Sequence, residues 1–351
     1  LDLTMTMEFT ITRPDDWHIH LRDGAQLSAI LPHVIARFAR ALVMPNLNPP
    51  LITTAAVLDY RARIVAALPK GADFVPLMTL YLTEETSAAE IARARQSGLI
   101  HGVKLYPAGA TTHSDHGVRD WARIEPALAA LEMHGLPLLI HGEVTDPEVD
   151  VFDRERVFIE RHLTPLIAHH PGLKIVLEHI TTQDAVAFVA AAPPTVAATI
   201  TPHHLLLNRN ALFQGGLCPH HYCLPVLKRD THQRALRAAA ISGNPKFFLG
   251  TDSAPHPRSA KEAPHACAGI YQSHAALELY AEVFDAEGAL NQLAGFASNY
   301  GADFYGLARN TTRLVLQKQP WIVPTEFTFG EERLIPFRAG EQVLWRIKTA
   351  G

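Results

Sequence analysis

Two histidines one residue apart, His18 and His20, stand in the run DWHIHL. In a strand, side chains two apart point to the same face, so both imidazoles can reach one metal ion. Alone, such a pair is as often two half-buried histidines. Its neighbours in kind add weight. His141 closes the run LPLLIH, His179 closes KIVLEH, and Asp252 follows KFFL within GTDSAPH. Four histidines and an aspartate, each ending a short apolar run, suit zinc or another borderline divalent metal. Asp252 could also hold a proton, or simply cap a turn. The chain has 20 histidines against 8 tyrosines and 4 tryptophans. Their placement, rather than their number, points to a site.

Other residues near these positions suit an anion. Arg22 lies two beyond His20, where a guanidinium could grip a carboxylate in bidentate fashion. A surface ion pair with Asp15 or Asp23 is the plainer alternative. Asn46 ends ALVMPN and offers an amide donor. His256, four beyond Asp252, either serves the same anion or is a loop histidine. Thr111 and Thr112 sit in PAGATTHSDHGV, whose small polar residues suggest a mobile loop able to close. A plain solvent loop reads the same way. Lys104 ends GVKLY and cannot ligate a metal as an ammonium ion. From spacing alone it is a lysine reaching to the rim. A neutral amine can add carbon dioxide and become an anionic carbamate, but spacing does not reach that far.

These residues need elements to present them. Eight apolar runs rich in strand formers cover 16–21, 41–44, 73–82, 102–106, 136–141, 174–179, 196–201 and 246–249. Amphipathic stretches alternate with them. AAVLDYRARIVAAL follows Thr53 or Thr54 as cap and stops at Pro69; others cover 87–97, 120–133, 153–168, 182–191 and 231–242. Strand–helix alternation implies parallel strands with right-handed crossovers, and eight units imply a TIM-type (β/α)8 barrel. In such barrels the C-terminal strand ends carry the chemistry. One barrel domain is expected over 1–351, with a Pro- and aromatic-rich extension from about 311 wrapping it.

Composition removes other classes. The net charge is −4 and apolar residues are 48%, which is globular rather than disordered. The pI near 6.6 argues against a nucleic-acid partner, and no apolar run is long enough for a membrane span. The opening residues carry acids and no basic segment, so no secretory leader is expected. Cys218, Cys223 and Cys267 are too few and too odd for a disulfide framework and fit a cytoplasmic protein. His169-His170 and His220-His221 read as surface or loop histidines. His203-His204 read as packing or support behind the ligands.

PDDWHIHLRDG, MPNLNPP, KLYPAGATT, HGEVTD, EHITT, TPHHLLLNRN, YCLPVLKR and GTDSAPH, in that order, resemble the bacterial single-domain (class II) dihydroorotases of the amidohydrolase superfamily. The resemblance runs from about residue 8 to the end. It implies two Zn2+ ions bridged by N6-carboxylated Lys104 and a hydroxide. His18, His20 and Asp252 would hold one ion, and His141 and His179 the other. It implies that Arg22, Asn46 and His256 bind the substrate carboxylate, that Thr111 and Thr112 close over it, and that backbone groups of Leu224 and Ala268 read the pyrimidine amide edge. The implied reaction interconverts dihydroorotate plus water with N-carbamoyl-L-aspartate, with Asp252 as general base and acid. A cytoplasmic homodimer is implied too. A hydantoinase or allantoinase would share the ligands but not the need for Arg22. An inactive homologue should have lost ligands, and a metal-storage protein should cluster them in sequence.

Overall fold

The computed structural model describes residues 7–348. Residues 1–6, on which the leader reading partly rests, and 349–351 of the expected extension lie outside the described residues. Strand β1 (Glu8–Thr12) stands apart from the barrel. Eight parallel strands then form one sheet in sequence order: β2 (Asp15–Ile19), β3 (Arg40–Val43), β4 (Val75–Tyr81), β5 (Ile100–Leu105), β6 (Leu138–His141), β7 (Ile175–Glu178), β8 (Val196–Ile200) and β9 (Phe247–Leu249). Each matches an expected run, with ends moved by up to two residues. The sheet closes beyond the end of β9: Ile19 bridges Ser253, Asp252 N–H donates to His18 C=O at 2.8 Å, and His20 N–H donates to Ser253 C=O at 3.1 Å. This is the α/β barrel expected from alternation.

The pleat divides the strands into two sets. Val43, Leu80, Val103, Ile140, Leu177 and Ile200 join the main core with the helices. Leu42, Leu77, Leu139, Val176, Ala197 and Phe248 form a separate cluster with Trp17, which stacks on Tyr305 at 4.4 Å between ring centres. This second set is the barrel's inner floor. Two residues further along the same rows come Lys104 above Gly102, His141 above Leu139 and Glu178 above Val176. A Cβ on Gly102 would lie 2.8 Å from Leu139 Cδ1, so only glycine fits there.

Local signals account for the helices. Thr53 accepts from Ala56 N–H at 3.2 Å and caps Thr54–Ala67, whose buried Val57, Tyr60 and Ile64 form one stripe. Ser87 and Thr182 cap two more in the same way. The stretch expected at 120–133 begins as a 3₁₀ turn at Trp121–Ile124 and is α-helical over Glu125–His134. That expected at 153–168 is interrupted by a π turn at Ile159–Leu163. Helix Gly24–Ile35, with Pro32 inside it, has no counterpart in the expected set.

The extension is more ordered than a wrap. β10 (Arg313–Gln317) pairs antiparallel with β1, from Glu8↔Gln317 to Thr12↔Arg313, and Arg346–Ile347 pairs on its other side. Phe329, Leu334 and Trp345 enter the main core. Among the described residues, no helix is long and apolar enough to cross a membrane.

Candidate metal and active site

His18, His20 and Asp252 meet at the closing seam. His18 Nε2 lies 3.4 Å from His20 Nε2 and 3.3 Å from Asp252 Oδ1; His20 Nε2 lies 3.0 Å from the same oxygen. A register irregularity in β2 between Asp16 and Ile19 lets both histidines turn inward while Trp17 faces the floor. Asp16 fixes that bend: its carboxylate accepts from His18 N–H at 3.1 Å, Thr251 N–H at 2.9 Å and Thr251 Oγ1–H at 2.6 Å. Burial pushes Asp16 up to about 7 against those hydrogen bonds.

The donor chemistry fits a cation. His20 Nδ1–H donates to Asn46 Oδ1 at 2.8 Å, which leaves a lone pair on Nε2. Burial pulls His20 down to about 4, so the ring is neutral at neutral pH. Nε2 and Asp252 Oδ1 are then two acceptors facing one another. Three donor atoms 3.0–3.4 Å apart match the edges, about 3.3–3.4 Å, of a tetrahedron around a zinc-sized ion. His141 and His179 stand beside them. Their ring centres are 4.8 Å apart, and the His179 ring is 5.0 Å from that of His18. His141 Nε2–H donates to Glu143 Oε2 at 2.7 Å, freeing Nδ1, while His179 Nδ1 is buried without a partner.

Charge is shared among buried groups. His18 Nδ1 lies 3.1 Å from Glu178 Oε1. Burial pulls His18 down, but Glu178 and Asp252 outweigh it and raise it to about 9. Burial pushes Asp252 up, yet the His18 charge and the hydrogen bond from His18 hold it well below the usual range. Lys104 does not reach the rim. It is fully buried, donates to Glu178 Oε2 and lies 4.9 Å over the Tyr106 ring. Burial lowers its amine against the pull of Glu178, which favours the neutral form able to attack carbon dioxide.

The anion end is equally distinct. Asp15 pairs with Arg40 at 2.6 Å and Asp23 with Arg63 at 2.8 Å, so neither takes Arg22. Arg22 instead donates from Nε to Pro255 C=O at 2.9 Å and from Nη2 to His256 Nε2 at 3.1 Å. Burial and the Arg22 charge push His256 down to about 2, which keeps it a neutral acceptor. Among the described residues, no carboxylate pairs with the Arg22 guanidinium. Thr111 and Thr112 line the same cavity, on a loop pinned by Ala108 N–H to Val118 C=O at 3.0 Å. Leu224 and Ala268 line the cavity as well. His204 is engaged by Thr201 Oγ1 at 2.7 Å and Pro225 C=O at 2.9 Å, and His203 by Gln272 at 3.0 Å, which fits support better than ligation.

The expected residues therefore surround one cavity, with Lys104 beneath it. Asp16, Glu143 and Glu178 were not expected. Glu143, two beyond His141, and Glu178, just before His179, carry a signal only in retrospect: carboxylates within two residues of candidate ligand histidines. Arg22, His179 and Asp252 all have φ between 43° and 57°, rare for side-chain-bearing residues and costing about 1–3 kcal/mol each. At His179 that turn brings consecutive residues 178 and 179 to the same interior.

A barrel with such a rim defines a class. The chain belongs to the amidohydrolase family, whose model matches residues 13–343. Within it, the chain belongs to the dihydroorotases. It is 63% identical to the dihydroorotase of Methylobacillus flagellatus over 98% of this chain and 100% of that one, and 62% identical to that of Nitrosococcus oceani over 98% and 99%. The solved Saccharomyces cerevisiae dihydroorotase in complex with 5-fluoroorotic acid superposes with a TM-score of 0.90 at 34% identity, covering 97% of this chain and 98% of that one.

Proposed function

We propose that this protein is a metal-dependent dihydroorotase, interconverting dihydroorotate plus water with N-carbamoyl-L-aspartate in pyrimidine biosynthesis. The carrying observation is a guanidinium without a carboxylate partner at the mouth of a buried histidine–aspartate cluster. His18, His20 and Asp252 would hold one Zn2+, His141 and His179 the other, with carboxylated Lys104 between them. When bound, such a pair supplies Lewis acidity towards the ring carbonyl and acidifies a water at neutral pH.

The chain's own residues do the rest. Arg22, with Asn46 and His256, takes the substrate carboxylate and so fixes which carbonyl faces the cluster. Thr111 and Thr112 add hydroxyl donors from the loop and help exclude water. Backbone groups of Leu224 and Ala268 read the amide edge of the ring. Asp252 accepts the proton of the attacking water and returns it to the leaving ring nitrogen. Glu178, Glu143 and Asn46 orient the ligand histidines through their other ring nitrogens. The reading includes one catalytic domain with its extension, a homodimer, and the cytoplasm.

A hydantoinase-like reading uses the same ligands, but its neutral substrate leaves Arg22 without a role. The test is dihydroorotate consumption before and after chelation, then with zinc restored. Loss on chelation and recovery with zinc supports the proposal. No turnover in either direction by metal-replete protein overturns it.

A further inference from the structure

Lys261 is a cation with no part in the chemistry above. It ends the short helix Arg258–Lys261 and is 4% exposed. Among the described residues no carboxylate pairs with it. Its ammonium instead donates to three backbone carbonyls: Tyr222 at 2.8 Å, Cys267 at 2.9 Å and Gly269 at 2.7 Å. Burying a cation without a counter-charge is costly unless each proton finds a partner. All three protons do, and all three partners lie on two segments.

Those segments carry the cavity edge. Tyr222 is two residues before Leu224, and Cys267 and Gly269 flank Ala268. Leu224, Ala268 and Gly269 line the cavity. Gly269 N–H also donates to Tyr222 C=O at 3.0 Å, tying the segments together. The carbonyls on either side of Ala268, those of Cys267 and Gly269, are thus both held by Lys261. Gly269 passes close to its neighbours: a Cβ there would lie 2.8 Å from Ala254 C=O and 2.9 Å from His256 Cδ2, so a side chain does not fit.

We propose that Lys261 is a positioning residue for ring recognition, holding 222–224 and 267–269 so that their backbone meets the amide edge of the substrate. This rests on the dihydroorotase reading. It predicts a split between the two ends of the substrate, since Arg22 handles the carboxylate and Lys261 the ring.

The experiment compares wild type, Lys261→Met and Lys261→Arg as zinc-loaded proteins. Readouts are KM and kcat for dihydroorotate, inhibition by orotate (ring and carboxylate) and by succinate (carboxylate only), zinc content and melting temperature. Lys261→Met should raise KM and the orotate inhibition constant about tenfold or more, the scale of lost polar recognition, with kcat within about threefold. Succinate inhibition and zinc content should hold, and Lys261→Arg should recover part of the loss. An unchanged KM, or equal weakening of orotate and succinate, overturns the inference while leaving the dihydroorotase reading intact. Should Lys261→Met not fold, Lys261→Arg alone decides: orotate weakened more than succinate supports the inference, and equal effects overturn it. Absence of wild-type turnover removes both readings together.

Discussion

The floor of the barrel and its mouth are built from the same strands, one pleat apart, yet they obey opposite rules. In the floor, Leu139, Val176, Ala197 and Phe248 pack around Trp17 without charge. In the mouth, His141 and Glu178 occupy the next inward positions of the same strands. Lys104 sits there too, above a glycine. The floor satisfies every local preference. The mouth holds buried charges, orphaned ring nitrogens and left-handed backbone at Arg22, His179 and Asp252. A stable layer two residues below is what lets the mouth tolerate that strain. The difference separates the two properties: the floor governs folding, and the mouth governs chemistry.

Substitutions should respect that division. Asp252→Asn in the mouth keeps shape but removes the proposed base and one candidate ligand charge. Turnover of dihydroorotate should fall by about 10²–10⁴-fold or more, with little change in the denaturation midpoint. A steady-state assay beside chemical denaturation checks both halves. A midpoint falling as steeply as the rate would erase the distinction. Leu139→Ala in the floor should do the reverse. It removes three carbons from a closed layer and should cost about 2–5 kcal/mol of stability. Turnover per folded, metal-loaded molecule should stay close to wild type.

This division also explains what the sequence disclosed. The strands were legible because both inward and outward positions of a parallel barrel strand are apolar, giving short continuous runs. The candidate ligands were legible because each lay in, at the end of or just beyond such a run. Other features depend on contacts between distant residues. Glu178 looks like any polar residue at a strand end until His18 and Lys104 are brought beside it. Asp16 gains its role only where β2 meets Thr251. Lys104 reads as a rim lysine because nothing in GVKLY reveals that its side chain is enclosed. Helix Gly24–Ile35, with Pro32 inside it, was not among the expected stretches. The pairing of β1 with β10 joins the chain's two ends, which no local window contains.

Glu178 sharpens the comparison, because it is the mouth's support rather than its chemistry. Glu178→Gln keeps the shape and the acceptor towards Lys104 but removes the charge facing His18. Zinc affinity should drop about 10–100-fold, the usual effect of losing a partner behind a ligand histidine. Turnover at saturating zinc should recover most of the wild-type value. Competition with a chromophoric chelator gives the affinity. An unchanged affinity would mean that Glu178 belongs, in effect, to the floor.

The smallest expected effect is a proton count. His18 sits at about 9 in the metal-free protein, raised above its ordinary value by Glu178 and Asp252 despite burial. At pH 7.5 it therefore carries a proton on both ring nitrogens. A metal at Nε2 cannot share that position, so uptake must expel about one proton from His18. The sign follows: below about 9 the metal-free form holds a proton that the loaded form lacks, so zinc affinity rises with pH and this contribution levels off above it. Calorimetric zinc titrations in buffers of different ionisation enthalpy measure the release directly. Glu178→Gln removes one of the two carboxylates that hold the proton, so it should lower the count. Leu139→Ala, one layer down, should leave it unchanged. A count that responds to the floor and not to Glu178 would show that the two layers are not electrically separate.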